Sequence, residues 1–401
     1  LQLGILVILM SAVAYAMVAK RASTTIITAP MIFLLVGFLM ALSKMLDAEH
    51  AEHLLHLVAE ISLIILLFID AAKTDLMSLK SQRQWPMRML LIGLPLSVGI
   101  GILFAIPLFP ELPLIIVALI AAILAPTDAA LGQAVVSNPT VPQLERQSLT
   151  VESGLNDGLA LPIILLFASM AAGMESASEH STNWFLFGGK QIILGPLMGI
   201  AAGWMGAHIF LYAEANKLTE PVYEGIAVLA LAGIAYIAAS LVGGNGFIAA
   251  FVAGLVFGNS VKGHCRFIYE FTESEGQMLI WVSFLFIGLG LLPEAIDNLT
   301  LPVTIYILLS LFVVRPLAIY ISLLGTQSKS VTRLFFGWFG PRGLATALFA
   351  LLVTKEIDHQ YAHDVLVVAI NAVWISALLH GISAVPGANW YAKQAEKNKR
   401  V

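Results

Sequence analysis

Charge is what this sequence lacks. Asp, Glu, Lys and Arg make up 11% of its 401 residues, against about 25% in an ordinary soluble domain. Hydrophobic residues make up 59% and the mean hydropathy is +0.89, so the chain could not cover a water-facing surface with polar groups. Lipid is the solvent it suits. Cysteine is nearly absent: the lone Cys265 excludes an intramolecular disulfide and reads as a bland loop residue. Missing too are a linker, a low-complexity tract and a charge run long enough for a second domain. The expectation is a single membrane domain covering 1–401.

What is there is a succession of apolar runs. A spanning helix needs roughly 20 apolar residues. Thirteen segments are expected to span: 3–19, 26–42, 54–72, 87–107, 112–136, 147–173, 190–212, 222–242, 246–260, 277–292, 301–324, 332–354 and 364–385. Segment 3–19 is read as a span and not a signal peptide, because no convincing small-residue cleavage site follows it. With thirteen spans, the odd-numbered loops and a tail at 386–401 fall on one side. That side carries sixteen of the 21 basic residues, and the other carries three, Lys44, Lys190 and Lys355. Short cytoplasmic loops hold the Lys/Arg excess. The N-terminus is therefore expected outside and the C-terminus in the cytoplasm, with the chain in the cell inner (plasma) membrane.

Two segments are interrupted. The fifth meets Pro126-Thr127-Asp128 before resuming at Ala129, and the twelfth meets Gly340-Pro341-Arg342-Gly343 before Leu344. Proline removes a donor and clashes with the preceding turn, and unpaired backbone at membrane depth is tolerated only inside protein or beside a water cavity. For Pro30 and Pro95 a plain kink suffices. At Pro126 and Pro341 an ionisable residue sits one or two positions away, and a polar break in each half points to the binding site of an inverted-repeat transporter. Segments five and twelve are an odd number apart, so corresponding helices would cross in opposite directions. The expected plan is a first six-helix repeat over about 1–173, a connector at about 190–212 and an inverted second repeat over about 222–385.

Ionisable side chains at membrane depth cost several kcal/mol and are functional hypotheses by default. They cluster in the fifth and sixth segments: Asp128, Glu152 and Asp157. Ser153 and Asp157 are four apart and share a helical face, as do Glu152 and Asn156. Small alkali cations are hard and prefer oxygen. The Asp157 carboxylate, the Ser153 hydroxyl and a carbonyl freed at Thr127 would make such a cage for Na⁺, Li⁺ or K⁺. No His or Cys joins them, which argues against a transition metal. Burial disfavours an ionised carboxyl and nearby positive charge favours it. Where the balance falls near ambient pH, a proton and a cation compete for one carboxylate, which is exchange. Asp128 would either compensate a half-helix N-terminus or ligate directly. Arg342 would balance the opposite dipole or Asp128. Arg315 would pair with Glu152, the competing role for Glu152 being ligand or proton relay.

Ala125-Pro126-Thr127-Asp128, Glu152-Ser153 with Asn156-Asp157, and Phe339-Gly340-Pro341-Arg342-Gly343 resemble the Na⁺/H⁺ exchanger family, particularly its prokaryotic NhaP-type branch. Leu67-Phe68-Ile69-Asp70-Ala71, the 253–259 stretch and the 284–289 stretch follow in family order, so the likeness covers nearly the whole chain. The resemblance implies an all-α polytopic fold of about thirteen helices with crossed discontinuous helices, usually a homodimer, working by elevator-like alternating access. It implies Asp157 as the cation- and proton-binding carboxylate, with Ser153 and the Thr127 backbone as further ligands. Asn156 before Asp157 implies electroneutral exchange, and Asp70 matches an acidic position near the cytoplasmic funnel. No cofactor is implied beyond the transported ions and protons.

Other features read more plainly. His50, His53 and His56 form a solvated outer cluster, and His208 and His380 are satisfied interior residues. Glu60 lies close enough to the outer end of its segment to reach water. Gly243-Gly244-Asn245-Gly246 is a tight turn, lacking the Lys and the strand–loop–helix setting of a phosphate loop. A channel would need rings of carbonyls or charges along a pore. An intramembrane aspartyl protease would need different sequence around its Asp residues. The nearest alternative is a sodium-coupled organic-solute symporter on a similar fold, and no enzymatic activity is expected.

Overall fold

The fold comes from a computed structural model, which describes residues 2–22, 25–44, 48–74, 84–172, 181–268, 270 and 275–397. Lys80, Arg83, Lys399, Arg400 and the side chains of His50 and His53 lie outside the described residues. Among those described, all regular structure is helical. Each of the thirteen expected segments coincides with a helix or a pair of half-helices. Among the described residues eight helical stretches are long and apolar enough to cross a bilayer, and five more are shorter apolar helices.

The chain opens with α1 (Gln2–Ala22), α2 (Ala29–Leu42) and α3 (Ala48–Lys73). The fourth segment is α4 (Gln84–Arg88), a π-helical turn at Met89–Gly93 and α5 (Leu94–Ala105). The fifth is α6 (Leu114–Ile123) and α7 (Ala129–Val136), separated by the Pro126 break, and the sixth is α8 (Gln143–Ala172). Then come α9 (Ser181–Ala215), α10 (Pro221–Leu241), α11 (Gly246–Val261), α12 (Glu275–Gly290) and the short α13 (Leu292–Asp297). The eleventh segment is α14 (Leu301–Leu309), a second π-helical turn at Ser310–Val314 and α15 (Arg315–Ser322). The twelfth is α16 (Ser330–Trp338) and α17 (Leu344–Val353), and the chain closes on α18 (His359–Lys397).

The irregularities recur at a fixed offset. Segments four and eleven each carry a π-helical turn followed by a helix with Pro in its first turn, Pro95 and Pro316. Segments five and twelve are each broken. Both pairs are seven segments apart, as a chain of two repeats around a connector requires.

Burial is arranged for lipid. From Ile116 onward α6 is enclosed, with Ile116, Leu119 and Ile123 at 0% exposure, whereas Met17, Val222 and Leu241 are 72–81% exposed. Where helices must pack without a hydrophobic driving force, small residues let backbones approach. Gly254 and Gly258 of α11 lie against the Phe68 and Ala72 carbonyls of α3 with no room for a Cβ. At its N-terminus α11 is capped by Asn245, whose Oδ1 accepts the Ile248 N–H at 3.0 Å, so the Gly-rich turn serves a helix start.

Three readings change. His208 is not interior: it stands on the exposed face of α9, its Nδ1 2.8 Å from the Trp204 carbonyl. On a chain whose outer surface is apolar, hydropathy does not tell inside from outside. Glu60 is half-buried and accepts the Tyr236 hydroxyl at 2.7 Å, so it has a protein partner. The last helix does not stop at 385 but runs through Pro386, because Ala384, Ala388 and Tyr391 are buried with Phe335 and Phe339 of the twelfth segment.

Candidate functional site

The two breaks meet. The Asp128 N–H donates to the Pro341 carbonyl at 2.9 Å, and the Leu344 N–H donates to Asp128 Oδ2 at 2.6 Å. Helix ends leave backbone groups without intrahelical partners, and here each interrupted segment supplies what the other lacks. Asp128 caps the N-terminus of α17, the positive end of that half-helix dipole. Gly343 makes this approach open, since a Cβ there would overlap the Asp128 carboxylate. Arg342 is buried at 1%, and its Nη1 donates to the Gly340 carbonyl at 3.1 Å. Its positive charge thus sits just past the negative end of α16, complementary to Asp128 at the start of α17.

Helix α8 brings its polar face to the crossing. The Thr127 hydroxyl donates to Glu152 Oε2 at 3.2 Å, lies 3.2 Å from Ser153 Oγ and accepts Asn156 Nδ2 at 2.5 Å. Asn156 Nδ2 also reaches Glu152 Oε1 at 3.4 Å. Glu152 is held from the far side by Arg315, through Nη1–Oε1 at 3.1 Å, Nη2–Oε1 at 3.2 Å and Nη2–Oε2 at 3.1 Å. Both side chains are 3–4% exposed. A planar guanidinium matches a carboxylate in this forked way. The Arg315 guanidinium also packs against Gly340, where no side chain would fit. One arginine therefore ties α8 to the second break.

Asp157 differs from its neighbours. Its Oδ1 is buried with no hydrogen-bond partner among the described residues, as is Asn156 Oδ1. Asp128, Asp70 and Glu152 are near enough for their charges to bear on it. Arg315 is bonded to Glu152 and the Lys73 charge bears on Asp70, whereas the charges that bear on Asp157 are all negative. Asp70 stands on α3 alongside α8: a Cβ at Gly154 would be 3.6 Å from its backbone oxygen. The next residue after Asp157, Gly158, is covered by the Phe251 ring of α11 with no space for a Cβ. The fold therefore gathers Thr127, Asp128, Glu152, Ser153, Asn156, Asp157, Arg315 and Arg342 at one place and sets Asp70 beside it.

The profile of the transmembrane sodium/hydrogen exchangers matches residues 7–390. This chain belongs to that family. It is a multi-pass membrane protein of a transporter family. The K(+)/H(+) antiporter NhaP2 of Shewanella baltica is 27% identical over 344 residues, 83% of this chain and 57% of that protein. The K(+)/H(+) antiporter NhaP of Alkalimonas amylolytica is 26% identical over 284 residues, 70% of this chain and 48% of that protein. The chain spans about half the length of these curated relatives. The solved structure of the sodium proton antiporter MjNhaP1 from Methanocaldococcus jannaschii at pH 8 superposes with a TM-score of 0.79 at 21% identity, covering 98% of each chain. The exchanger fold expected from the motifs is the fold found.

Sequence reasoning missed several polar residues that the exchanger fold puts to use. Ser376 of α18 accepts the Arg342 N–H at 2.7 Å. Asn371, five residues earlier, donates to the Ala295 and Val367 carbonyls and accepts the Trp374 indole N–H. Near the other end of α18, Tyr391 donates to the buried Glu145 at 2.8 Å. Single polar residues in an apolar run carry little signal on their own. The spacing Ser376, His380, Ser383, on one helical face, is the clue that was available; Asn371 points to another side of the helix.

Proposed function

We propose that this chain exchanges a small monovalent cation, Na⁺, Li⁺ or K⁺, for protons across the cell inner membrane, by competition of the two for Asp157. The observation that carries the reading is the unpartnered Asp157 Oδ1 in a site where Asp128 and Glu152 are both engaged. A buried acceptor without a donor costs free energy, and either a proton or a cation removes that cost. Ser153 and the Thr127 carbonyl complete the oxygen set, with Asp128, Glu152, Asn156, Arg315 and Arg342 holding the crossing and Asp70 lining the approach. One carboxylate that takes one proton or one monovalent ion carries the same charge in both forms, so the exchange is electroneutral. Relatives named for K⁺ and for Na⁺ support the ion class. They lend no support to the symporter alternative. The basic loops face the cytoplasm, and the working unit is a homodimer in lipid.

The test is cation-driven proton flux in proteoliposomes, with and without clamped voltage, for wild type and Asp157→Asn. The variant is expected to lose exchange, and voltage is expected to leave the wild-type steady state unchanged. Exchange retained by Asp157→Asn would overturn the assignment, and a voltage-dependent steady state would overturn electroneutrality.

A further inference from the structure

The second break is gripped from α18 by a row of hydrogen bonds. Ser376 and His380 are four apart, hence on one helical face, and are 0% and 2% exposed. The Arg342 N–H donates to Ser376 Oγ at 2.7 Å. Ser376 Oγ lies 3.1 Å from His380 Nδ1, and His380 Nε2 lies 2.8 Å from the Trp338 carbonyl. Nδ1 also lies 3.0 Å from the Ser376 carbonyl. A carbonyl only accepts and each ring nitrogen faces one, so the single hydrogen of a neutral ring serves one of them; at the shorter contact, on Nε2, it goes to Trp338 and leaves Nδ1 as the acceptor. The Ser376 hydroxyl donates to Nδ1 and keeps its lone pairs for the Arg342 N–H. Every donor in the row has an acceptor.

The two ends of that row are the two sides of the break. Trp338 is the last residue of α16, and its carbonyl accepts from both His380 Nε2 and the Gly340 N–H, the latter at 2.9 Å; Arg342 stands two residues before α17. The Trp338 indole stacks on the His380 ring at 4.8 Å and 23°, and its Nε1 donates to Ser383 Oγ at 3.0 Å, further along the same helix. Between them lie Gly340, against which Arg315 packs, and Pro341, whose carbonyl receives Asp128.

We propose that His380 is a positioning residue for exchange. Through Ser376 and Trp338 it holds 339–343 at the spacing that lets Pro341 and Leu344 engage Asp128, and so fixes where the adjoining Thr127 presents its oxygen to the ion. The transport part of this inference rests on the exchange reading above.

Three single variants, the double variant His380→Phe/Ser376→Ala and two measurements test it. His380→Phe keeps a ring against Trp338 and removes both nitrogens, His380→Gln keeps a donor and an acceptor, and Ser376→Ala removes the middle of the row. Hydrogen exchange of the 339–344 amides in detergent, which needs no transport, is compared with cation KM and maximal rate in proteoliposomes. An unsatisfied buried hydrogen-bonding group is costly enough to lower protection of 339–344 roughly tenfold in His380→Phe and to raise KM by a similar factor. His380→Gln recovers most of both, Ser376→Ala matches His380→Phe, and the double variant is no worse than either single one. Unchanged protection of 339–344 in His380→Phe, or a Gln variant as impaired as the Phe variant, would overturn the proposal. Protection lost evenly across the whole molecule would also overturn it, by making His380 a general fold residue. If wild type exchanges no cation for protons, the exchange reading fails alone, and the protection data still decide whether His380 holds the break.

Discussion

Replacing Glu152 by Gln tests whether the Arg315 pair is the strut of the site. The pair makes three hydrogen bonds of 3.1–3.2 Å with both side chains 3–4% exposed. Removing one partner of such a pair strands the other charge and costs about 3–5 kcal/mol. Gln does not soften this by keeping the shape. Both Glu152 oxygens accept from Arg315, and they accept also from Thr127 and Asn156, so the Gln amide nitrogen faces a donor in either orientation. Glu152→Gln is therefore expected to lose about 3–5 kcal/mol of unfolding free energy in mixed micelles. The double variant Glu152→Gln/Arg315→Gln buries no charge at this point, and its two amides can bond each other, so most of the loss should return. A single variant within about 1 kcal/mol of wild type, far short of that penalty, or a double variant no better than the single, would refute the reasoning. The same double variant separates strut from ligand. If Glu152 only braces α8, the refolded double exchanges ions at a reduced rate, whereas a folded but inactive double makes Glu152 a ligand or proton relay.

Two further outcomes follow from local geometry. Gly343→Ala drives a Cβ into the Asp128 carboxylate and breaks its bond to the Leu344 N–H. A hydrogen bond to a charged group contributes about 1.5–3 kcal/mol, so proteoliposome exchange should fall at least tenfold, and wild-type exchange would count against the capping role. Glu356, in the turn after α17, is held above the usual carboxyl range by burial. The folded state therefore binds the Glu356 proton more tightly than the unfolded chain, and this contribution to stability falls as pH rises from about 4.5 through the shifted value. Glu356→Gln should remove that slope and be more stable than wild type near neutral pH, as read from thermal unfolding at two pH values.

The membrane architecture is legible in the sequence because composition and run length act locally. A stretch of apolar residues must find lipid or core wherever it lies, and Pro126 and Pro341 interrupt a helix whatever packs around them. The cluster of Glu152 and Asp157 is legible for the same reason, since charge at membrane depth has a cost that position alone reveals. What each group bonds is another matter. Asp128 reads as a group for a half-helix end or for the ion, and the half-helix it caps belongs to a segment more than 200 residues away. The π-helical turns of segments four and eleven leave no mark on composition. The roles of Gly340 and Gly343 depend on what presses against them, Arg315 and Asp128, and a glycine does not announce its neighbour.

Asn156 shows why partners, and not residue types alone, decide what the site can do. A second carboxylate beside Asp157 is, by residue type alone, the simplest way to carry an additional charge. In this fold Asn156 Nδ2 is a donor, to Thr127 Oγ1 and to Glu152 Oε1, and Thr127 passes its own hydrogen to Glu152. An ionised Asp at this position would turn an acceptor toward the Glu152 carboxylate, already an acceptor, and repel it at hydrogen-bond distance. The repulsion is relieved only if one of the two is protonated, or if Glu152 leaves Arg315 and exposes the stranded charge. Asn156→Asp is thus expected to lose exchange and stability together and not to become electrogenic. Flux with and without clamped voltage checks this, and an active, voltage-dependent Asn156→Asp would show that Asn156 keeps exchange electroneutral by its lack of charge alone and that its hydrogen bonds are dispensable.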